Sequence, residues 1–362
     1  VAFDDTYAYA PGGSITLKSD TGNVSTDSGA VVSVSADAKG GDAGTISLVA
    51  QNGSVSAAAG TLLGSAASDA QQGALKVDAQ VTGLDALVDA VTDANGKHHL
   101  SGSWDIRARA GNLNLTKSIT AENVTIAADN GGITVGTTGV IDASGAKGGK
   151  IGLYGRNGDV VLDGQLQASA RVVVTNTSNA GTRGQGGQIE LSASGTGKVV
   201  TSSDSVINVG VADGSVATGG KVNFRVAATT STSFDSTSDL NIQLAGTVHG
   251  ASDVGAEIVK TFTSTGNATL TDSNASSTVT NLALNGTSIS NSVGSLFSST
   301  NVNAMRSLLG FTGPTTHVRA GVDIISTGDL TIGNDINLQA LRFAGEAGVL
   351  TIRAAGDLMY PI

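Results

Sequence analysis

The sequence predicts an all-β solenoid in which short parallel strands stack coil upon coil, and three observations carry this prediction. The first is a loose internal repeat between Gly148 and Arg225. Each of its three copies opens with two glycines and a polar residue, which precede two apolar residues separated by one position. These apolar pairs are Ile151 and Leu153, Ile189 and Leu191, and Val222 and Phe224. Self-similarity at a period of this order is typical of solenoids.

Composition is the second observation. The chain of 362 residues contains 50 glycines, whereas aromatic residues make up only 3% of it. A compact domain of this length usually fills its centre with many large side chains. A chain so poor in them suits a narrow core, which a solenoid provides because each coil buries its apolar face only against its neighbours.

The third observation is a short-range alternation of apolar and polar residues. From Trp104 onward, apolar pairs recur at intervals of six to eleven residues and are separated by brief Gly or Asn-Gly breaks. Strands this short, joined by tight turns, suit the sides of a β-helix coil better than the long strands of a β-sandwich. We therefore predict β-helix coils over residues 1–61, 104–228 and 319–362.

Residues 62–103 interrupt this pattern and are predicted to form an insertion. Apolar residues from Leu84 to Val91 recur at i, i+3, i+4 and i+7, which places them on one face of a helix. Asp85 lies in the first turn, where the helix dipole favours a carboxylate, and Asn95-Gly96 is a helix-ending signal. The insertion is therefore expected to carry a short amphipathic helix that caps or leans on the solenoid.

A second, Ser/Thr-rich insertion is predicted over residues 229–318. Its helical signal runs from Asn301, a residue type favoured at the N-cap, to Gly310, a residue type favoured just past a helix end. Pro314 follows soon after, which supports a helix end at this point. Each of the two insertions is thus expected to contain one short helix.

The charge of the chain excludes several classes of partner. Its formal net charge is −10 and its 20 basic residues are scattered, whereas nucleic-acid binding needs clustered Lys and Arg. The same acidity disfavours an anionic membrane surface, and no apolar run is long enough for a spanning helix. We expect neither nucleic acid nor membrane insertion. The absence of cysteine excludes disulfides and thiolate metal sites.

Both ends of the sequence indicate a piece of a longer protein. The residues that follow Val1 lack the charged and apolar regions of a signal peptide. The chain ends at Pro361-Ile362 without the polar capping segment that a solenoid needs for solubility. The expectation is a mature or excised segment whose coils continue in the native chain.

Four stretches resemble the filamentous-haemagglutinin-like exoproteins that two-partner secretion exports. The first is the repeated Gly-Gly-x-Ile-x-Leu unit followed by Asn-Gly-x-Val, as in the copy that starts at Gly148. The others are the helix of the first insertion with the stretch Trp104–Leu115 after it, His317–Ile332 and Leu350–Leu358. The resemblance covers most of the chain, although the secretion domain and the Asn-Pro-rich signatures of the family are missing from it.

This resemblance implies a right-handed parallel β-helix that serves as a surface or matrix adhesin. It further implies export through an outer-membrane transporter of the two-partner secretion type, and a location outside a Gram-negative cell. The composition agrees with such an export route, because a chain without disulfides can pass a narrow pore unfolded. Coils with local contacts then form one at a time outside the cell.

Motifs of nucleotide and hydrolase chemistry are absent from the sequence. The Gly-Lys pairs at Gly149, Gly197 and Gly220 are each followed by Ile or Val instead of the Ser or Thr that completes a P-loop. Neither H-E-x-x-H nor G-x-S-x-G occurs, and the glycine pairs do not extend to the calcium-binding nonapeptide. We predict no cofactor, no metal site and no catalytic residue.

Carboxylates deserve separate consideration, because some β-helices are polysaccharide lyases or hydrolases with acidic residues on one face. Asp85 and Asp89 share a helix side, as do Asp253 and Glu257 if that stretch is helical, and Asp4-Asp5 lies in the leader. No group in the sequence suggests acids combined with Arg or Lys across consecutive coils. Solvated turn residues are the expected role of these acids.

Three other residue types have both a functional and a structural interpretation. His98-His99 suggests a metal site, but neighbouring residues of a strand point to opposite faces, which favours a loop. Trp104 is either a platform for a sugar or a cover for the apolar face of the first insertion, and the cover is favoured. Asparagines in N-x-S/T are either glycosylation acceptors or turn residues that form ladders between coils; they are Asn23, Asn52, Asn123, Asn176, Asn267, Asn274 and Asn285.

The favoured hypothesis is a structural and adhesive segment of a secreted bacterial surface or biofilm-matrix adhesin. In this hypothesis the coils are scaffold, and the insertions bind polysaccharide or a host or bacterial cell surface, because insertions map to loops on solenoid faces. Two alternatives stay open: a β-helical polysaccharide lyase or hydrolase, and the stalk of a contact-dependent growth-inhibition toxin.

Overall fold

A computed structural model describes residues 2–3, 6–7, 9–171, 185–212, 219–273, 282–338 and 341–360. The protein is mostly β, with 48% strand and 9% helix, as the sequence predicts. The chain divides into two compact units. The first unit comprises residues 1–222 and 244–252, and the second comprises residues 223–243 and 253–362.

The strands are short for the most part. In chain order the first of them are β1 (Ala2–Phe3), β2 (Thr6–Tyr7), β3 (Ser14–Lys18), β4 (Val24–Thr26), β5 (Val32–Ser33), β6 (Thr45–Ala57), β7 (Leu62–Leu63), β8 (Ala74–Val81), β9 (Ser103–Ala108), β10 (Leu113–Leu115), β11 (Ser118–Thr120), β12 (Asn123–Ala128), β13 (Ile133–Val135), β14 (Val140–Asp142), β15 (Lys150–Arg156), β16 (Val160–Leu162) and β17 (Gln165–Gln167). They continue with β18 (Gln188–Ser194), β19 (Val199–Thr201), β20 (Val206–Asn208), β21 (Gly220–Ala227), β22 (Ile242–Leu244), β23 (Thr247–His249), β24 (Ala251–Ser264), β25 (Ala268–Asp272), β26 (Leu282–Leu284), β27 (Thr287–Ser288), β28 (Thr316–Ser326), β29 (Leu330–Ile332), β30 (Arg342–Phe343), β31 (Glu346–Ala347), β32 (Val349–Ala354) and β33 (Leu358–Met359). The α-helices are α1 (Leu84–Val91), α2 (Ile289–Leu296) and α3 (Ser299–Leu308), and Thr237–Asp239 forms a 3₁₀ turn.

Three parallel sheets account for most strands in the described part of the first unit. One joins β3, β6, β8, β9, β12, β15 and β18 in that order. A second joins β10, β13, β16 and β19, and a third joins β11, β14, β17, β20 and β23. From β9 onward the three sheets are visited in rotation, which is consistent with a parallel β-helix. The length of a coil varies. Ser103 and Asn123, the first residues of the paired strands β9 and β12, are 20 residues apart, whereas Lys150 and Gln188, the first residues of β15 and β18, are 38 residues apart.

Aliphatic side chains from successive coils stack in register to form the core of the first unit. Ile126 pairs with Ile106 on one side and with Leu153 on the other, and Leu153 pairs with Leu191. All four side chains are fully buried. Burying one such side chain stabilises a fold by about 1.5–3 kcal/mol. The narrow core of small aliphatic residues that the composition predicts is therefore present.

Close approach of the backbone explains the glycine pairs that open each repeat. The amide of Gly149 donates to the carbonyl of Ala143 over 2.8 Å, and the amide of Gly187 donates to the carbonyl of Ala168 over 2.8 Å. A β-carbon at Gly187 would lie 2.3 Å from the carbonyl oxygen of Gly149, and one at Gly220 would lie 2.2 Å from that of Gly187. The second glycine of each pair thus stacks on its counterpart, at a corner that has no room for a side chain.

Asn or Asp precedes the apolar strand at several corners, and its side-chain oxygen accepts a hydrogen bond from a backbone amide of a neighbouring coil. The pairs are Asn23 with Ser54 (2.8 Å), Asn112 with Gly132 (2.9 Å) and Asp159 with Lys198 (2.8 Å) in the first unit, and Asn267 with Asp329 (2.9 Å) and Asp329 with Asp357 (2.8 Å) in the second. Turn asparagines therefore connect coils, as the sequence indicates, although their partner is a backbone amide instead of another side chain.

The helix predicted in the first insertion is confirmed over Leu84–Val91, but the predicted end signal, Asn95-Gly96, is wrong, because the helix already ends at Val91 with Thr92 in extended conformation as its C-cap. Its apolar face is buried, and the helix contacts β6 and β7 as well as β10. The carboxylate of Asp85 accepts hydrogen bonds from the backbone amide (2.8 Å) and the hydroxyl (2.5 Å) of Thr116. The helix is therefore packed between coils of the first unit and tied to the turn that joins β10 to β11.

In the second unit, β24, β28 and β32 form one parallel sheet. Strands β25, β29 and β33 form another, to which β26 and β27 add an antiparallel extension. Helix α2 contacts β26, and α3 contacts β28. The hairpin of β30 and β31 also contacts β28, and its Phe343 ring stacks on Phe297 with a centroid distance of 5.5 Å.

The predicted second helix is confirmed as α3, but its predicted N-cap, Asn301, is wrong. The helix begins at Ser299, and the hydroxyl of Ser298 accepts a hydrogen bond from the Asn301 amide over 3.3 Å. Helix α2 was not predicted, because its Ser, Asn and Gly residues dilute the helical pattern. The ranges predicted as insertions also hold strands of the parallel sheets, β8 within 62–103 and β24 within 229–318.

Candidate functional site

Charged residues cluster on one face of the β24–β28–β32 sheet in the second unit. The guanidinium of Arg225 donates from Nε to Glu257 Oε1 (3.1 Å) and from Nη2 to Asp323 Oδ1 (2.6 Å). Arg353 donates from Nη2 to the other oxygen of Asp323 over 3.2 Å. Glu257 and Asp323 are almost fully buried, whereas Arg353 is half exposed. We call these four residues, with the four described next, the charged network.

The second half of the charged network centres on His317. Arg319 donates from Nη2 to both carboxylate oxygens of Asp253, over 3.0 and 2.9 Å. The His317 ring lies between two carboxylates, with Nδ1 2.6 Å from Glu346 Oε1 and Nε2 3.9 Å from Asp253 Oδ1. Because Glu346 belongs to the β30–β31 hairpin, this contact holds the hairpin against β28.

Strand alternation places these side chains on one face, and two glycines make room for them. Residues two apart in a strand share a face, so Asp253 and Glu257 of β24 project alike. A β-carbon at Gly255 would lie 2.7 Å from Arg319 Nη1, and one at Gly321 would lie 2.7 Å from Glu257 Oε1. The long side chains thus lie across glycine positions of the neighbouring strand.

Two sequence-based expectations are corrected here. Asp253 and Glu257 do share a side, but they do so in strand β24 and not in a helix. The expectation that acids are not combined with basic residues across consecutive coils is wrong, because Arg225, Glu257, Asp323 and Arg353 lie on the successive strands β21, β24, β28 and β32 and form ion pairs between strands. The alternation in His317-Val-Arg-Ala-Gly-Val-Asp does indicate that the charged side chains share one face of a strand. Which residues they pair with, however, depends on the register between strands that are distant in sequence.

A shallow polar groove of about 400 Å³ lies on the surface of the first unit. Its floor is formed by the backbone of Gly132, Gly158 and Gly197; Gly158 and Gly197 stand at equivalent positions of successive coils, and Gly132 lies one position further along the same corner of the coil before them. A β-carbon at Gly197 would lie 2.2 Å from the carbonyl oxygen of Gly158, so this corner cannot hold a side chain. The floor therefore lacks side chains because the stacking of the coils leaves no space for them.

Polar side chains form the walls of the groove. They are those of Asn112, Thr134, Asn157, Asp159 and Thr196, to which Val161 adds one apolar group. Asn112 and Asp159 each commit one side-chain oxygen to a coil-to-coil hydrogen bond, which fixes their orientation. The remaining amide, carboxylate and hydroxyl groups of the walls offer both hydrogen-bond donors and acceptors.

The two candidate histidines bind separate partners in the loop after α1. His99 lies with Nδ1 2.7 Å from the Ser65 hydroxyl and with Nε2 3.4 Å from Asp93 Oδ2. His98 instead faces the Thr92 hydroxyl at 3.3 Å. No group of three or more His, Asp or Glu residues suited to a metal ion occurs in the described part of the chain.

Trp104 is 2% exposed, and its indole nitrogen donates to the carbonyl of Leu100 over 3.0 Å. The residue lies in β9 and pairs with Leu75 of β8 and Val124 of β12. A ring buried in this way packs in the core of the first unit and presents no face to a sugar. The position of Trp104 therefore agrees with its structural interpretation and not with a platform for a sugar.

Several of the remaining acids and asparagines that the sequence singles out have structural partners, Asn123 is exposed on β12, and others lie outside the described residues. Asp89 forms an ion pair with Lys117, and Asn52 donates from its side chain to the carbonyl of Asp20. Asn285 accepts from the Thr269 amide over 2.8 Å and donates to the Ser264 hydroxyl over 2.9 Å. Asp4-Asp5, Asn176 and Asn274 lie outside the residues that the structure describes.

Sheet topology and core together define a β-rich protein with solenoid-like parallel sheets. Comparison of the chain with protein-family models, curated proteins and solved structures gives no match. Among the described helices, none combines the length and the apolarity needed to cross a membrane.

Proposed function

We propose that this chain is a right-handed parallel β-helical segment of a secreted bacterial adhesin, exported by two-partner secretion. The observation that carries the proposal is the use of repeated residues as contacts between coils. Glycine pairs, in-register aliphatic side chains and turn Asn or Asp residues all serve to stack one coil on the next. A chain built in this way acts first as a scaffold that spaces and presents other groups.

The composition supports the proposed route of export. The chain has no cysteine, so no disulfide hinders its passage as an unfolded polymer. Strands of neighbouring coils pair over separations as short as 20 residues, and such local contacts form readily once a segment has emerged. The partner in this proposal is an outer-membrane transporter, and the location is the outer surface of a Gram-negative cell.

The second unit supplies elements that a scaffold can present. Helices α2 and α3 and the β30–β31 hairpin belong to or follow the Ser/Thr-rich range 229–318. Arg306 of α3 donates to the carbonyl of Thr316, and Glu346 of the hairpin contacts His317, so both additions are anchored to β28. In this proposal they form a recognition surface for polysaccharide or for another cell.

Export and adhesion are tested in a bacterium that carries the parent reading frame. The gene of the transporter encoded beside it is deleted, and the chain is detected on the cell surface with an antibody raised against the purified protein. The proposal expects loss of the surface signal and of cell adhesion, with both restored by the transporter gene on a plasmid. A surface signal unchanged by the deletion, or a chain that stays inside wild-type cells, would contradict it.

A second function, a β-helical polysaccharide lyase or hydrolase, is favoured by one observation. The charged network brings Asp253, Glu257 and Asp323 together with arginines on neighbouring strands, the combination that such enzymes need. Incubation with a panel of acidic polysaccharides tests it. Turnover that Asp323→Asn abolishes, and that the exposed turn variant Asp357→Asn retains, would replace the scaffold proposal with an enzyme.

A further inference from the structure

The polar groove of the first unit runs along the direction in which coils stack. Its walls and floor come from the corners that precede β10, β13, β16 and β19, which are successive strands of one parallel sheet. Neighbouring strands lie about 4.8 Å apart, so the groove spans about 14 Å from the first of these corners to the last. A site of this length and depth fits an extended polymer better than a compact ligand.

One end of the groove is raised by an extra residue. Ser194 pairs with Arg156 and Val199 pairs with Val160, so four residues fill the corner between β18 and β19 where three fill the corner between β15 and β16. The additional length projects Thr196, which is exposed, beside the floor formed by Gly197. The corner before β19 is therefore a local departure from the repeat.

The chemistry of the walls selects among possible polymers. The lining contains amides, hydroxyls and a single carboxylate, that of Asp159, and none of its residues is basic. An anionic polymer would meet a carboxylate without a compensating cation, which disfavours it. An extended peptide would need free backbone groups at a sheet edge, whereas the strands next to this groove are paired within their sheet. Neutral sugars instead offer many hydroxyls that both donate and accept hydrogen bonds.

We propose that this groove is a binding subsite for a neutral polysaccharide. The inference rests on the proposed adhesive function and deepens it, because it names the ligand class and moves one recognition surface from the insertions to the coils. Thr134, Asn157, Asp159 and Thr196 bind sugar hydroxyls, and the glycine floor lets the chain of the polymer approach the backbone. The site binds weakly at each coil corner and gains strength from the length of the polymer.

Affinity electrophoresis of the purified protein in gels that contain a neutral glucan, a mannan, a galactan or the acidic polymer alginate tests the proposal. We expect retardation by at least one neutral polymer and none by alginate. Thr196→Trp fills the groove, and Thr134→Val removes a hydroxyl with little change in shape. Loss of a hydrogen bond weakens binding modestly, so we expect Thr196→Trp, which also fills the groove, to weaken binding about tenfold and Thr134→Val to weaken it less.

Thr125→Val is the matched control, because Thr125 is exposed on β12 of the same unit and does not line the groove. Circular dichroism checks that every variant keeps its β content. The proposal fails if no neutral polymer retards the protein, if Thr196→Trp binds as well as Thr125→Val does, or if calcium alone binds by calorimetry and Asp159→Asn abolishes that binding. Glycan binding by the purified protein is independent of export, so its failure leaves the transporter experiment to decide the proposed function separately.

Discussion

Arg225 and Asp323 are 98 positions apart in sequence, yet the guanidinium Nη2 lies 2.6 Å from the carboxylate Oδ1. The arginine also pairs with Glu257, and the aspartate also pairs with Arg353, so each charge is shared between two partners. Asp323 is almost fully buried. A buried carboxylate is tolerated only when its oxygens are satisfied, so this contact is a strong constraint on the register of the second unit.

Replacement of this aspartate should loosen the second unit. Asp323→Ala removes one of the two carboxylates that Arg225 contacts and the carboxylate that Arg353 contacts in the described part of the chain. A hydrogen bond to a charged group contributes about 1.5–3 kcal/mol, so we expect a loss of that order in the local stability of β24 and β28. Hydrogen exchange followed by mass spectrometry measures this opening strand by strand, which suits a protein in which stability is not uniform.

Arg353→Ala is the matched control for this prediction. Arg353 is half exposed, and a surface ion pair contributes only about 0–1 kcal/mol. Exchange in β28 should therefore change little in this variant. Equal protection losses in Asp323→Ala and Arg353→Ala would show that burial of the Arg225–Asp323 pair does not decide the stability of the sheet.

The glycine corners provide a second prediction, in the first unit. A methyl group at position 187 would lie 2.3 Å from the carbonyl oxygen of Gly149, which neither backbone can avoid without moving. Overpacking of this kind costs about 1–3 kcal/mol, so Gly187→Ala should lower the midpoint of unfolding by denaturant. Gly136→Ala is the control, because its added methyl group would meet nothing closer than the Leu115 carbonyl oxygen at 3.6 Å. Equal midpoints for the two variants would contradict a steric role for the corner.

The sequence predicted the regular parts of the fold because they depend on local patterns. Alternation identifies strands such as Lys150–Arg156, and the paired glycines mark corners that recur in every copy of the repeat. The buried face of α1, from Leu84 to Val91, was visible from spacing alone. In each of these cases the residues that determine the structure are neighbours in sequence.

The candidate sites could not be predicted in the same way, because they depend on register between distant residues. His317 and Glu346 become partners only once β30 and β31 fold back on β28. Thr196 joins the lining of the groove from a corner that is one residue longer than its counterpart before Val160, a difference that is invisible until the coils are aligned. Helix α2 was missed because tertiary contacts with β26 outweigh its poor helical composition.

Because of Asp78, the stability of the first unit should depend on pH in the acidic range. Hydrogen bonds from Arg109 Nε (2.8 Å) and Nη2 (2.9 Å) hold the pKa of the Asp78 carboxyl below its ordinary value of 3.8, although partial burial acts in the opposite direction. A depressed pKa means that the folded state binds the proton less tightly than the unfolded chain does. The contribution is complete above the ordinary value and is lost as pH falls through the lower pKa of the folded state.

Asp78→Asn removes this titration, so the stability of the variant should change less between neutral and strongly acidic pH than that of the wild type. Denaturant unfolding at a series of pH values measures the difference. Asp20→Asn is a control, because Asp20 is an exposed acid that pairs with a likewise exposed lysine. A wild-type acid dependence that Asp78→Asn leaves intact would assign the effect to other carboxylates.

Tyr154 should titrate far above an ordinary tyrosine. The ring tip lies over Gly152, where a β-carbon would be 2.6 Å from Cε2, and the hydroxyl donates to Glu190 Oε2 over 3.2 Å. Burial, then the negative charge of Glu190 and the hydrogen bond to it, raise the pKa of Tyr154 to about 12. The folded state holds the phenolic proton more tightly than the unfolded chain does. The stabilisation is therefore present below the ordinary value of 10.0 and is lost as pH rises toward about 12.

The ultraviolet absorbance of tyrosinate during alkaline titration measures this shift, and Tyr154→Phe identifies the corresponding step by removing it. In Glu190→Gln the side chain keeps a hydrogen-bond acceptor but loses its charge, so the late step should move toward the ordinary value without reaching it, because burial remains. Glu122→Gln serves as the control, since Glu122 is an exposed acid of the same unit. If the late step persists in Tyr154→Phe, another tyrosine is responsible for it. If it does not move in Glu190→Gln, burial alone determines the pKa, and the carboxylate beside the ring has no electrostatic effect on it.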